Sequence, residues 1–329
     1  MTTASKLDIK FEALGSQPNF RQDWILPLRT GRVELEGVNL SWTGPHENAD
    51  LFNDPKFKNG EFGLLDTNLG DVIPAIDAGW DFVCLPVLIK RKPVFNYFWV
   101  RTDRGINSPK DLEGKTIAAT SWGVVTTFSR GFLEHDFGVD LSKVKWIVGP
   151  SRWPLYKQVQ VDFPAERKRP EQRLLEGEAD ARTGDITDAK AWADLEGSPQ
   201  VRRLFPDYQE VHKKMYKERG ILTPSHIILM GGKTHRDNPG LSRRIYDAFL
   251  KSHETAYSDL LGDGTSYSLI MDARELVKDQ MKEMGDPWKP GIKANKNTMD
   301  TLLDFYYEQG QTQKRLSFEQ VFANDTLDT

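Results

Sequence analysis

The sequence predicts an α/β protein built from two lobes with a cleft between them. The chain of 329 residues is long enough for about two domains, and its 38% hydrophobic and 11% aromatic content suffices for packed cores. Residues 116–148 have the pattern of strand, turn, helix and strand, a unit that requires parallel strands. A strand-like segment ends in a charged turn near residues 101–103, and polar residues give way to a strand after residues 217–223; we expect the chain to cross between lobes at both places.

The individual elements follow from hydrophobic periodicity and from turn residues. Strands are expected at residues 7–14, 33–42, 62–66, 82–89, 95–101, 116–119, 144–148, 179–182 and 224–230. Helices are expected at residues 21–26, 69–78, 124–135, 170–176, 186–195 and 299–308, with a long amphipathic helix that begins at 241. Pro27 is expected to stop the first of these helices.

The two crossings divide the chain into two predicted domains. Residues 1–101 and 222–329 form a discontinuous domain I, and residues 102–221 form an inserted domain II. Two connections between lobes leave a cleft, and clefts between domains are preferred sites for small ligands. We therefore expect the functional residues to lie at this cleft.

Composition and charge exclude several classes of protein. The net charge of −4 offers no basic surface for nucleic acid. Cys84 is the single cysteine, so no intramolecular disulfide or cysteine-based metal cluster can form, and its apolar neighbours predict a buried side chain. No segment approaches the ~18 consecutive apolar residues of a membrane span, and the N-terminus lacks a signal-peptide core. We expect a cytoplasmic protein without a nucleic-acid or membrane partner.

The segment Thr120-Ser121-Trp122-Gly123 is the strongest candidate for an anion site. It follows a predicted strand and opens a predicted helix, so free backbone N–H groups and the positive end of the helix dipole would face a ligand. The Thr120 and Ser121 hydroxyls could add donors. A carboxylate fits such a site; plain helix capping beside a surface tryptophan is the alternative.

Three further side chains are candidates for acid–base chemistry. His226 opens a predicted strand at the second crossing, and an imidazole with a reference pKa of about 6.5 suits a general acid. Asp66 and Asp185 each follow a predicted strand, where open α/β sheets place their ligands. Either carboxylate could orient a hydroxyl group, and helix capping is the alternative for both. His46, in a Gly-Pro turn, is an outside candidate.

Arginines are the natural clamps for a carboxylate, because the guanidinium can donate two parallel hydrogen bonds. Arg91, Arg152 and Arg182 are the candidates, and Arg182 is the strongest because it follows residues 179–181 at the end of a predicted strand. For Lys90-Arg91-Lys92, a charged loop is the alternative interpretation. No G-x-G-x-x-G, H-E-x-x-H, C-x-x-C or G-x-S-x-G motif occurs, so the sequence predicts no nucleotide, zinc or hydrolase site.

Several phrases of the sequence resemble known families. Residues 107–115 (NSPKDLEGK) and 177–181 (GEADA) resemble the type II periplasmic-binding-protein fold. Four more specific segments resemble the 4,5-dihydroxyphthalate decarboxylase family, whose members are cytoplasmic enzymes with that fold. These segments are residues 201–208 (VRRLFPDY); Gly220-Ile221 together with His226; Trp288 together with Gly291, Asn295 and Thr298; and residues 322–328 (FANDTLD). The resemblance spans residues 14–328. The chain departs from the family pattern at Val94-Phe95 and around Gly184-Asp185.

The resemblance implies a carboxy-lyase that converts 4,5-dihydroxyphthalate, or a close analogue, to protocatechuate and carbon dioxide without an organic cofactor. His226 would protonate the ring carbon, Asp185 or Asp66 would be the base, and residues 120–123 with Arg182 would anchor the retained carboxylate. The spacing of potential metal ligands in the sequence does not indicate a metal site. Binding of a divalent ion by His226 and carboxylates is left open, and so is the formation of a homo-oligomer. The alternative function is a solute-binding protein that captures an aromatic or other small organic acid unchanged.

Overall fold

A computed structural model describes residues 6–13, 22–45, 51–263 and 268–329 of the chain. The strands in these ranges are β1 (Leu7–Ala13), β2 (Val38–Pro45), β3 (Leu64–Asn68), β4 (Phe82–Arg91), β5 (Trp99–Arg101), β6 (Thr116–Ala119), β7 (Lys145–Val148), β8 (Val161–Asp162), β9 (Ala181–Thr183), β10 (Val201–Arg203) and β11 (Pro224–Gly231). The α-helices are α1 (Leu26–Arg29), α2 (Pro55–Lys58), α3 (Leu69–Asp77), α4 (Val124–His135), α5 (Pro170–Leu175), α6 (Ala189–Glu196), α7 (Tyr208–Arg219), α8 (Gly232–Asp237), α9 (Leu241–Asp263), α10 (Ala273–Met284), α11 (Ile292–Glu308) and α12 (Phe318–Val321).

Two mixed sheets organise the molecule into two lobes. The first sheet has the order β2-β1-β3-β11-β4, with β1 parallel to β2 and β3, and β11 antiparallel to β3 and β4. The second sheet has the order β10-β5-β9-β6-β7-β8. In it β6 is parallel to β7, as the strand–helix–strand unit requires, and β6 is also parallel to β9. The predicted α/β class is confirmed.

The chain passes between the sheets twice. It leaves the first sheet at the end of β4 and enters the second at β5, earlier than the predicted crossing at residues 101–103, because β5 pairs with β9 and β10. It returns between β10 and β11, a connection that includes α7 and residues 217–223. The exact domain limits, 1–101 with 222–329 and 102–221, stay a prediction.

Helix α11 of the first lobe packs directly on helix α4 of the second. The Phe305 ring lies 5.7 Å from Phe128 and 6.0 Å from Phe132, centroid to centroid. Gly131 makes this approach possible, because a Cβ at that position would clash with the Phe305 ring. One buried apolar cluster runs through this contact and includes residues of both sheets. The lobes are therefore joined by a continuous core as well as by the two connections.

Two local predictions are wrong. Helix α1 continues through Pro27, because a proline in the first helical turn removes an N–H group that has no intrahelical partner there. Residues 95–101 were expected to be one strand, but Val94–Tyr97 forms a 3-10 helix and only Trp99–Arg101 joins the sheet. Short apolar runs of this kind do not reveal their secondary structure by periodicity, and here Phe95 is buried against Phe132.

His212, on α7, predicts a loss of stability in acid. The Phe95 N–H donates to His212 Nε2 at 3.3 Å, and burial lowers the pKa of His212 from 6.5 to about 4. Between these values the unfolded chain binds a proton that the folded chain does not, so the free energy of unfolding falls as the pH falls from 6.5 to 4. This effect is on the order of 2–3 kcal/mol.

The His212→Gln variant retains a hydrogen-bond acceptor but does not titrate. Urea unfolding between pH 8 and pH 4 should show a shallower loss of stability for this variant than for the wild type. Equal losses for the two proteins would contradict the assignment of a buried, neutral His212.

Candidate functional site

Asp66 and His226 form a hydrogen-bonded pair on the first sheet. Register pairs His226 with Asn68 and Ile228 with Asp66, which makes the two side chains diagonal neighbours on one face of the sheet. His226 Nδ1 lies 2.9 Å from Asp66 Oδ1. The Asp66 side chain is 0% exposed and the His226 side chain 12%. The carboxylate thus fixes the orientation of the imidazole ring.

Lys90, near the end of β4, is the register partner of His226 on the other side of β11. Burial, and next the Lys92 ammonium, lower the pKa of Lys90, whereas the carboxylates of Asp185 and Asp66 act in the opposite direction. The Lys90 ammonium therefore lies within electrostatic range of a carboxylate from each lobe.

Asp185, which follows β9, approaches the same group from the second lobe. Lys92 Nζ lies 3.5 Å from Asp185 Oδ1. This oxygen is buried and accepts no hydrogen bond from any residue that the structure describes. A buried carboxylate oxygen of this kind is suited to accept a hydrogen bond from a ligand. We call Asp66, Lys90, Lys92, Asp185 and His226 the interlobe cluster.

The predicted anion-binding segment adjoins this cluster through Thr120. The Thr120 hydroxyl donates to the backbone carbonyl of Asp185 at 3.1 Å. Gly123 precedes α4 and faces Gly70 in the first turn of α3, where a Cβ on Gly70 would lie only 2.9 Å from Gly123 Cα. The N-terminal ends of two helices, one from each lobe, therefore meet beside the cluster. Their N–H groups and dipoles favour an anion at this position.

The other two side chains of this segment differ in position. Ser121 is exposed, whereas Trp122 is buried. The Trp122 ring lies 5.8 Å from Trp146, and the guanidinium of Arg130 lies 4.4 Å from its centroid. The prediction of the Trp122 side chain as a ligand contact is therefore corrected: the ring packs in the second lobe and holds the segment in place.

Arg182 is likewise corrected from a carboxylate clamp to a structural residue. Its side chain is 0% exposed. Nη1 donates to the carbonyls of Tyr97 and Gly184, and Nη2 donates to the carbonyl of Asp185. Burial lowers the pKa of Arg182 to about 10, so the guanidinium stays charged at neutral pH. Arg182 therefore holds the turn that presents Asp185, and does not itself face the cleft.

Arg91 has a comparable role at the second crossing. It is buried, with Nη1 donating to the Leu222 carbonyl and Nη2 to Asn295 Oδ1. Thr298, one turn after Asn295 on α11, accepts from the Leu222 N–H and donates to the Gly220 carbonyl. Arg91 is thus also corrected to a structural residue, and the family-like Asn295 and Thr298 fix the chain where it returns to the first lobe.

Arg152 lies at a separate contact between the lobes. Its Nε atom is 3.4 Å from Asp71 Oδ1, and Trp153 Nε1 donates to the same oxygen at 2.8 Å. Burial raises the pKa of Asp71, although both partners act against this. A ligand-binding role for Arg152 stays a prediction, and His46 lies outside the described residues.

Among the described residues, no group of three or more His, Cys, Asp or Glu side chains could hold a metal ion.

Lys90 and Lys92 are candidate site residues that the sequence interpretation did not single out, since it considered only Arg91 of this segment and gave a charged loop as the alternative. Both flank Arg91 at the end of an apolar strand. Because side chains alternate along an extended strand, two lysines separated by a buried arginine are expected on the opposite face from it. This period-two pattern is the signal that could have identified them.

Comparisons with known proteins agree with this architecture. The fold is that of periplasmic ligand-binding proteins. The sulfonate-binding protein SsuA of Methylobacillus flagellatus has a TM-score of 0.60 at 12% identity, over 99% of this chain and 94% of that chain. SsuA of Escherichia coli has a TM-score of 0.55 at 14% identity, over 99% and 100%. The desulfurization enzyme DszB has a TM-score of 0.52 at 14% identity, over 98% of both chains, so the fold also carries an enzyme.

Residues 36–259 match the NMT1/THI5-like family model, and the chain belongs to that family. It is also 26% identical to the 4,5-dihydroxyphthalate decarboxylase of Comamonas testosteroni, over 99% of both chains. The protein of the same name from Pseudomonas putida is 26% identical over 59% of this chain and 77% of that protein. The resemblance inferred from the sequence phrases is therefore confirmed along the whole chain.

Replacement of Arg182 distinguishes a structural residue from a ligand clamp. Arg182→Met leaves three backbone carbonyls without their buried donor, so the free energy of unfolding should fall by about 3 kcal/mol or more. Denaturant unfolding measures this loss, and Arg167→Met, at an exposed arginine, is the matched control. If Arg182→Met instead keeps the wild-type stability and binds its ligand more weakly, the original assignment of Arg182 as a carboxylate clamp is correct.

Proposed function

We propose that this protein is a carboxy-lyase that removes one carboxylate from a hydroxylated, phthalate-like aromatic acid, with 4,5-dihydroxyphthalate as the first candidate substrate. The observation that carries the proposal is the interlobe cluster, which combines an imidazole oriented by a carboxylate with two lysine ammonium groups. Full-length similarity to a protein named 4,5-dihydroxyphthalate decarboxylase supports the choice of substrate.

The two lysines of the cluster are complementary to the carboxylates of such a substrate. Two neighbouring carboxylates on one ring require cationic partners, and Lys90 and Lys92 supply two ammonium groups. The paired N-terminal ends of α3 and α4 provide further favourable potential for an anion. Asp185, with an oxygen that lacks a hydrogen-bond donor among the described residues, is placed to accept the proton of a phenolic hydroxyl.

The proposed reaction begins at a hydroxyl group para to the departing carboxylate. As Asp185 removes the phenolic proton, negative charge reaches the para ring carbon, and the His226 imidazolium protonates that carbon to give a dienone. The bond from this carbon to the carboxylate then breaks, and its electron pair restores the aromatic ring as carbon dioxide leaves. Asp185 returns its proton to the phenolate oxygen, and His226 regains a proton from water.

The structure favours Asp185 over Asp66 as the base. Asp66 is 0% exposed and its carboxylate is bound to His226, whereas the Asp185 side chain is 20% exposed. Asp66 therefore acts as a positioning residue for the imidazole. Burial of the cluster would also desolvate the departing carboxylate, which favours conversion to neutral carbon dioxide.

The proposed reaction requires no organic cofactor, because the aromatic ring itself accepts the developing negative charge. The metal requirement, the oligomeric state and the cytoplasmic location stay predictions. No described helix has the length and apolar character to traverse a lipid bilayer.

Binding of an organic acid without reaction is the second candidate function. It is favoured by the fold of the sulfonate-binding SsuA proteins, because the same lysines and helix ends could retain an acid unchanged. Incubation of the purified protein with 4,5-dihydroxyphthalate separates the two functions. Protocatechuate and carbon dioxide support the lyase, whereas acid that is bound and recovered intact supports the binding protein.

Replacement of the proton donor tests the proposed roles. His226→Ala should lower kcat for carbon dioxide release by roughly 10²–10⁴-fold. Asp66→Asn should lower kcat with little change in KM, because it disturbs the orientation of the imidazole and not the binding of the acid. His135→Ala, on the exposed end of α4, is the matched control and should retain wild-type kcat. An undiminished kcat for His226→Ala would remove this residue from the mechanism.

A further inference from the structure

A cavity of about 310 Å³ lies in the first lobe, and none of its lining residues belongs to the interlobe cluster. It is enclosed by the 3-10 helix at Asp23–Ile25, by α9 and by α10. Aromatic rings of Trp24, Tyr257 and Trp288 and the side chains of Asp23, His253 and Gln280 line it. A volume of this size lies near the lower end for small-molecule sites and suits a ligand with a single ring.

The aromatic side chains surround the cavity on several sides. His253 is 3% exposed and lies between two of them, with ring centroids 6.0 Å from Trp24 and 4.8 Å from Tyr257. Both pairs are steeply inclined, at 79° and 68°. Trp288 completes the lining from the segment after α10. The wall of the cavity is therefore largely aromatic.

The charge at this cavity is negative. Asp23 is a lining residue, and Asp286 lies directly behind His253, with Oδ1 3.3 Å from His253 Nε2. Although burial opposes it, contact with His253 and the N–H of Trp288 hold the pKa of Asp286 below its ordinary value. The charged Arg91 guanidinium lies 5.9 Å from the centroid of the Trp288 ring and interacts with Asp286, so Asp23 is the carboxylate that sets the charge at the exposed side of the cavity. The surroundings therefore favour a cation over an anion.

We propose that this cavity binds a small organic cation, an ammonium group carried on a compact aromatic or apolar body. The faces of Trp24, Tyr257 and Trp288 attract a cation through their ring quadrupoles. The Asp23 carboxylate can accept a charge-assisted hydrogen bond from the ammonium. Apolar side chains from α9 and α10, including Ala256 and Val277, would pack against the body of the ligand. The aromatic acid proposed for the cleft would be repelled here, so the two sites select opposite charges.

Calorimetric titration of the full chain with benzylamine, which is a cation at pH 7, tests this proposal. Benzyl alcohol has the same ring without the charge, and the wild type should bind benzylamine about ten-fold more tightly than this neutral analogue. Asp23→Asn should weaken benzylamine binding about ten-fold, because it removes the carboxylate that faces the ammonium. Ala256→Leu should abolish binding by filling the cavity.

Matched variants locate the binding. Glu254→Gln neutralises an exposed carboxylate on the same helix, and Asp185→Asn neutralises one in the interlobe cluster. Neither change should alter the affinity for benzylamine. The proposal is overturned if the wild type does not bind benzylamine, if benzyl alcohol binds equally well, or if Asp23→Asn binds as the wild type does. Asp23 is exposed at the surface, so this variant remains informative even if Ala256→Leu fails to fold.

Discussion

The hydrogen bond between the buried Asp66 carboxylate and the His226 imidazole is the interaction on which the candidate site depends. A carboxylate without solvent is costly unless it is paired, and His226 provides a partner that becomes a cation when protonated. The pair therefore fixes the position and orientation of an imidazole on the first sheet. Lys90 and Asp185 extend this charged group across the cleft to the second lobe.

Contacts elsewhere in the fold hold the two halves of the site together. Gly131 allows α4 and α11 to pack closely, and Arg91 fixes the return of the chain to the first lobe through Asn295. Arg182 holds the turn that presents Asp185. These three interior residues thus help to determine where the reactive groups lie without themselves facing a ligand.

Local pattern was sufficient for much of the fold and for part of the site. Residues 116–119 and 124–135 form β6 and α4 with the predicted limits, because apolar periodicity and a clear turn mark both ends. His226, Asp66 and Asp185 were singled out from their positions at the ends of predicted strands; the structure brings His226 and Asp66 together, and the roles of all three stay a prediction. Helix α7 was missed because it is largely polar and buries only Met215 fully, so its periodicity is weak.

The roles of the arginines could not be predicted, because they depend on contacts between distant parts of the chain. Arg182 donates to the carbonyl of Tyr97, 85 residues away, and Arg91 donates to Asn295, 204 residues away. Sequence alone shows a guanidinium near a strand end, which suits a ligand clamp and a buried structural donor equally well. Burial of the guanidinium distinguishes a structural donor from a ligand clamp, and this burial arises only when the lobes pack together.

A crystal structure with phthalate bound tests the central claim most directly. Phthalate has the two neighbouring carboxylates but no hydroxyl group, so it can occupy the cleft without following the proposed reaction. The account predicts phthalate between the lobes, with its carboxylates bound by the ammonium groups of Lys90 and Lys92 and with one carboxyl-bearing ring carbon facing His226. Phthalate bound elsewhere, or in the cleft but away from His226, would contradict it.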